Sequence, residues 1–254
     1  MKTLTIHRRE LPRYLSWYLI LLPLFSGIFL DLLGLPGALR YTGDLAWCTL
    51  AVLAVGIIAV LFFPEAKEGV NGMLLNALPY FVFVMYLINR GVGFTRALFV
   101  NCDHSLLTYP FYKKPGNILR LFRIRLWEIT KINLLPATVI GGGLALLLFL
   151  SGGTDNPINY VLIFVTITTL SIFFSVHYLT LYYLIQPYNA GTEIKSGTYQ
   201  LVIWLTYMIC YMMIQIKLPT LYFGIAAIVF CVLYSAVASV LVYKLAPKTF
   251  RIRT

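Results

Sequence analysis

Long apolar runs leave this chain few ways to fold. They fall near residues 14–35, 44–64, 72–89, 130–151, 158–186, 199–217 and 220–244, and about 20 apolar residues is what an α-helix needs to cross a bilayer core of about 30 Å. Inside lipid every backbone N–H and C=O must find a partner within the protein, so these runs are read as helices. No strand-like alternation long enough for a barrel is present. Composition agrees: 60% of the residues are hydrophobic and 11% charged, where a soluble domain carries about a quarter charged. The expected fold is an all-α, polytopic transmembrane bundle of six to seven spans, forming one domain over residues 1–254. The first run follows Arg8, Arg9 and Arg13, shows no cleavage signal and is long enough to stay as an anchor.

Charge supplies the orientation. In a soluble protein a net charge of +11 would suggest nucleic acid; in a membrane protein Lys and Arg collect in the loops that stay in the cytoplasm, and no nucleic-acid partner is expected. Basic residues gather at the N-terminus, at the C-terminus (Lys244, Lys248, Arg251, Arg253) and between 90 and 131. All three are expected in the cytoplasm, with the turns near 36–43, 151–157 and 217–220 outside. Three runs between two inside segments do not alternate. The run 72–89, interrupted by Asn76 and Pro79, is therefore expected to be interfacial, broken or re-entrant. The alternative is seven full spans with the N-terminus outside.

The basic region 90–130 is expected to be a cytoplasmic loop with short helices. Residues 94–109 suit a helix that ends before Pro110, and Pro115-Gly116 reads as a stop. Asn117 then suits an N-cap for a second, amphipathic helix. Its apolar face would be Ile118, Phe122, Leu126 and Ile129, with Arg120, Arg123, Trp127 and Lys131 pointing elsewhere; these and Arg125 have the chemistry of a helix lying among lipid headgroups.

Catalytic, cofactor and metal sites are not expected. Asp103 and His104 are adjacent and stand alone, too few for a metal site or a nucleophilic triad. Cys48, Cys102, Cys210 and Cys231 show no CxxC spacing. Gly141-Gly142-Gly143 lies within a run, where small residues let helices approach, and no G-x-x-x-x-G-K-[ST] phosphate loop occurs. The Tyr and Phe of SVHYLTLYYLIQPY have the composition of an interfacial aromatic belt. Between 132 and 192 the only charge is Asp155, which argues against a proton relay at depth.

The stretch FVNCDHSLLTYPFYKKP, with ILRLFRIRL and KINLLPA after it, resembles the membrane subunit of bacterial ATP-binding-cassette exporters of the bacteriocin-type and related Gram-positive groups. SVHYLTLYYLIQPYNAGTEIKSGTYQLV and LVYKLAPKTFRIR are similar to the same family, so the likeness covers roughly residues 70–254. RYLSWYLILLPLFSGIFLDLLGLPG is similar to the opening of envelope-polysaccharide polymerases or ligases. The exporter resemblance implies a multi-pass permease subunit in the bacterial plasma membrane, moving a peptide, lipid or drug-like substrate. It also implies a separate cytosolic ATPase and a second permease subunit, identical or different. Asp103, Tyr109, Tyr112, Lys113 and Lys114 would then belong to the loop that docks the ATPase. A secondary carrier, an envelope enzyme or a scaffold is the alternative.

Overall fold

The computed structural model describes residues 38–107, 109, 114–189, 194 and 196–250, without the side chains of 38–48 and 50. The expected run at 14–35, like Tyr112 and Lys113, lies outside the described residues. In chain order the helices are α1 (Ala38–Phe62), α2 (Pro64–Asn76), α3 (Tyr80–Ile88), α4 (Gly91–Leu98), a π turn (Phe99–Asp103), α5 (His104–Leu106), α6 (Pro115–Leu150), α7 (Ile158–Ile185), α8 (Gly197–Met212, extended by a 3-10 turn to Gln215) and α9 (Thr220–Thr249). Among the described residues there are no strands, only two isolated bridges. The protein is an all-α membrane protein. Among the described residues four helices are long and apolar enough to cross a bilayer: α6, α7, α8 with its 3-10 turn, and α9. That count is below the expected six to seven.

One further segment runs the length of the bundle without being a single long helix. At one end, Asn71 Nδ2 donates to Gly153 O (2.7 Å), Leu218 N to Asn76 O (2.9 Å) and Thr220 Oγ1 to Leu74 O (2.8 Å). Helix α2 therefore lies across the turns that follow α6 and α8. At the other end Arg125 is joined to Asp103, and Tyr183 stacks on Phe250 with centroids 4.5 Å apart. Residues 77–103 thus travel from the start of α9 to its finish. The backbone is interrupted on the way by Pro79 and by Asn89-Arg90. The second break is repaired by side chains: Asn133 Oδ1 accepts from Arg90 N (3.1 Å) and Asn89 Oδ1 from Gly91 N (2.6 Å), as buried backbone requires.

Helix α1 lies parallel to α6, with Leu53 against Gly143 and Gly56 against Leu147. Its C-terminal end therefore reaches the α2 end of the bundle, and its start lies toward the basic end. Relative to the turns near 151–157 and 217–220 this reverses the expected sense of the 44–64 run, and it is the sense that the seven-span alternative gives that run. The expected basic loop is corrected too. Residues 90–106 descend with the bundle, and 115–131 are the first turns of α6, which continues unbroken through Pro136 to Leu150. Only about 107–114 connects the two. Pro115 opens that helix rather than stopping one, because the first helical position needs no N–H and its φ is already helical.

The packing has two cores. The larger joins α1, α2, α3, α6 and α7 and includes Phe83, Ile140, Leu148, Ile163 and Phe174. Gly141 lets α7 approach, since a methyl there would sit 3.3 Å from Phe164 Cα, so the glycine run is a packing device. The turn after α6 needs glycines for another reason: Gly152 and Gly153 have φ of +119° and +75°, values L side chains avoid. Helix α8 is the least buried of the four spans, with 11% of its apolar window inside the protein. A polar knot ties it in. His177 lies 2.7 Å from Tyr234 Oη and 3.1 Å from Thr206 Oγ1. Thr206 already donates to Val202 O, so its oxygen accepts from His177 Nε2–H, and Nδ1 accepts from Tyr234. The network selects the neutral Nε2 tautomer.

Candidate functional site

The second core closes the basic end of the bundle. Phe99, Ile118, Phe122, Tyr182, Tyr183, Tyr188, Val242, Ala246 and Phe250 enclose it, and two charges sit inside. Asp103 is fully buried and Arg125 is 7% exposed. Arg125 Nη1 donates to Asp103 Oδ2 (2.8 Å), Nη2 donates to Asp103 Oδ1, and Tyr182 Oη donates to Oδ2 (2.6 Å). Arg125 Nη1 also donates to Tyr183 Oη (2.7 Å), and the guanidinium carbon stands 5.7 Å from the Tyr183 ring centre.

Each side chain arrives for a local reason. The π turn over Phe99–Asp103 inserts a residue into the α4–α5 track. Phe99 and Asp103 then both turn inward, while Asn101, Cys102, His104 and Ser105 stay on the surface. Such π bulges are frequent where a side chain must be re-aimed at a functional place. Arg125 is seven residues after Ile118, two helical turns, so it falls on the same inward face as Ile118, Phe122 and Ile129. Tyr182 and Tyr183 end α7, and Gln186 follows in the left-handed region at φ 43°, turning the chain so that Tyr188 stacks on Phe99 at 5.1 Å. Tyr188 Oη lies 3.4 Å from Thr95 Oγ1. Burial raises the Tyr188 phenol above its ordinary 10.0, opposed by the Thr95 contact and by Arg96.

Chemically this is a fastener. The Asp103 carboxylate accepts from three donors, two of them on Arg125, which ties the turn at 99–103 to α6 and α7. Among the described residues no three His, Cys, Asp or Glu side chains converge as metal ligands. Two hollows lie elsewhere among the described residues. An open polar depression of about 450 Å³ beside Asn71, Thr154, Asp155 and Tyr160 is at the opposite end. An apolar cavity of about 140 Å³ lies between α1, α2, α3 and α6.

The residues expected to dock a partner separate into three groups. Asp103 is interior and holds the elbow from behind. Tyr109, 55% exposed, and the exposed Lys114 are on the surface, while Tyr112 and Lys113 lie outside the described residues. Arg120 and Arg123 are exposed as expected. Arg125 is a correction: it is a buried ion-pair partner, because helical periodicity carries it inward. The tyrosines of SVHYLTLYYLIQPY are a second correction. Tyr178, Tyr182, Tyr183 and Tyr188 are buried and form the walls of the site and of the main core instead of a lipid-facing belt. The signal for Arg125 was present in its spacing from Ile118; the tyrosines carried none, since apolar residues surround them on all sides of α7.

Fold and site together define a polytopic helical membrane protein whose basic end is closed by an ion-paired aromatic clasp. No sequence family, curated protein or solved structure was found to match the chain.

Proposed function

We propose that this chain is the membrane subunit of an ATP-driven exporter in a bacterial plasma membrane. A separate cytosolic ATP-binding-cassette subunit powers it and a second permease subunit completes it. The basic end faces the cytoplasm, in keeping with the gathering of Lys and Arg there. The observation that carries the reading is the turn at 99–107 with Tyr109 and Lys114 beyond it. Its inner side is locked to α6 and α7 by Asp103, while its outer side offers Asn101, Cys102, His104, Ser105, Tyr109 and Lys114 to solvent. A polar surface held through a buried ion pair to spanning helices suits the passing of a push from a soluble motor into the membrane. The lack of a phosphate loop in the sequence is in keeping with a motor on another chain. The substrate class is a peptide, lipid or drug-like amphiphile.

A photo-crosslinking residue at Tyr109 or Lys114 tests the proposal in native membranes. The expected product joins the chain to a protein containing a phosphate loop, and the co-purified pair hydrolyses ATP while the isolated chain in lipid does not. ATP turnover by the isolated chain, or crosslinks that contain no ATPase, would overturn it.

A further inference from the structure

Helix α6 has one outward stripe along its whole length, and the chemistry of that stripe changes once. Arg120, Arg123, Ile124, Trp127 and Lys131 share this face at three- and four-residue spacing and are exposed, Trp127 by 63% and Ile124 by 52%. Beyond Lys131 the same face continues as Leu135 (72% exposed), Leu146 and Phe149 (69%). From Ile132 to Leu150 the helix rises about 27 Å, close to the hydrocarbon thickness of about 30 Å. Trp127 and Lys131, whose Nζ stands 5.6 Å from the indole centre, therefore mark the boundary between hydrocarbon and headgroups. Arg120 lies about 10 Å beyond Trp127, toward the level of lipid phosphate.

Charge at that level is selective. Lys131 is neutralised by Glu128 at 2.8 Å and Arg125 is consumed by Asp103. Arg120 and Arg123 make no ion pair among the described residues. We infer that this stripe is a contact for anionic phospholipid, with the phosphate against Arg120 and Arg123 and the acyl chains against Trp127 and the apolar face beyond it. Guanidinium groups suit a phosphodiester through paired N–H donors, and an indole suits the glycerol level. Continuity with the exposed apolar face of a helix long enough to cross a bilayer favours a lipid over a protein occupant.

The test needs the full chain alone. A variant with Trp17, Trp47 and Trp204 changed to Phe keeps Trp127 as the sole indole reporter. In phosphatidylcholine vesicles, brominated phosphatidylglycerol should quench Trp127 at a mole fraction at least about threefold lower than brominated phosphatidylcholine requires. The preference should vanish in R120Q/R123Q, survive in R120K/R123K and weaken in high salt. Both arginines are exposed, so folding is checked by size exclusion and not expected to change. Equal quenching by the two lipids, or an undiminished preference in R120Q/R123Q, would overturn the inference. So would loss of the crosslinked ATPase in R120Q/R123Q with lipid preference intact, which would make the stripe a protein contact. None of the quenching outcomes depends on whether an ATPase partner exists.

Discussion

Asp103 and Arg125 show how an ion pair survives in an apolar chain. Taking two charges out of water costs several kcal/mol each, recovered only when geometry is good and the remaining lone pairs are satisfied. Here the carboxylate takes two guanidinium N–H groups and the Tyr182 hydroxyl, and the guanidinium turns a further N–H to Tyr183. By the register of α6, the pair sits about 9 Å beyond Lys131, on the headgroup side of the hydrocarbon. Asp103→Ala leaves a buried guanidinium without its counter-ion and is expected to cost about 3–5 kcal/mol. Arg125→Met alone should cost a similar amount, and Asp103→Ala with Arg125→Met clearly less than the sum. Thermal unfolding in detergent measures all three variants. Strictly additive losses would mean that the two side chains do not act as a pair.

At the scale of elements, the broken track α3–α4 depends on how closely it meets α7. Gly91 faces Tyr178, and a methyl group there would overlap the Cβ and ring of that tyrosine, whereas nothing stands within 4 Å of a methyl at Gly93. Both glycines lie in α4, so each replacement by Ala gains about the same helix propensity, near 1 kcal/mol. Their environments then decide the sign. Gly91→Ala should destabilise by at least about 1–3 kcal/mol through overpacking, and Gly93→Ala should be neutral or stabilising. The pair of melting midpoints reads this directly, and equal shifts would mean that α4 does not pack on α7 at Gly91. The contact matters because α4 joins the break at Asn89-Arg90 to the π turn that aims Asp103. A displaced α4 would misplace the clasp.

For the whole molecule, the two ends differ in charge as well as shape. Arg96, Lys114, Arg120, Arg123, Lys131, Lys244 and Lys248 lie toward the clasp end, whereas Glu65, Glu68 and Asp155 lie with Lys67 and Lys217 at the other. The asymmetry predicts which side each reaches. Cys102 is an exposed thiol at the clasp end, and Cys210 and Cys231 are buried. A membrane-impermeant maleimide should therefore spare Cys102 in intact cells and label it after lysis, with Cys102→Ser as control. Asn156→Cys, in the turn at the opposite end, should label in intact cells. Labelling of Cys102 from outside would invert the molecule and remove the elbow from any cytosolic partner.

Hydropathy and helical period are local properties, and what depends on them was legible in the residues. The all-α membrane class follows from the apolar runs, and α7, α8 and α9 lie close to the runs at 158–186, 199–217 and 220–244. The inward turn of Arg125 was legible as well, since it shares its face with Ile118 and Ile129; the run of arginines around it drew attention to charge instead. Other features needed the tertiary structure. Asp103 meets a tyrosine 79 positions away, and no local pattern encodes a partner at that distance. The sense of α1 followed from its parallel packing on α6, because a lone apolar run reads the same in either direction. The path of 77–103 through the bundle was likewise hidden. Its short helices look too broken to cross lipid, and Asn133 from another helix supplies the acceptor that lets the second break be buried.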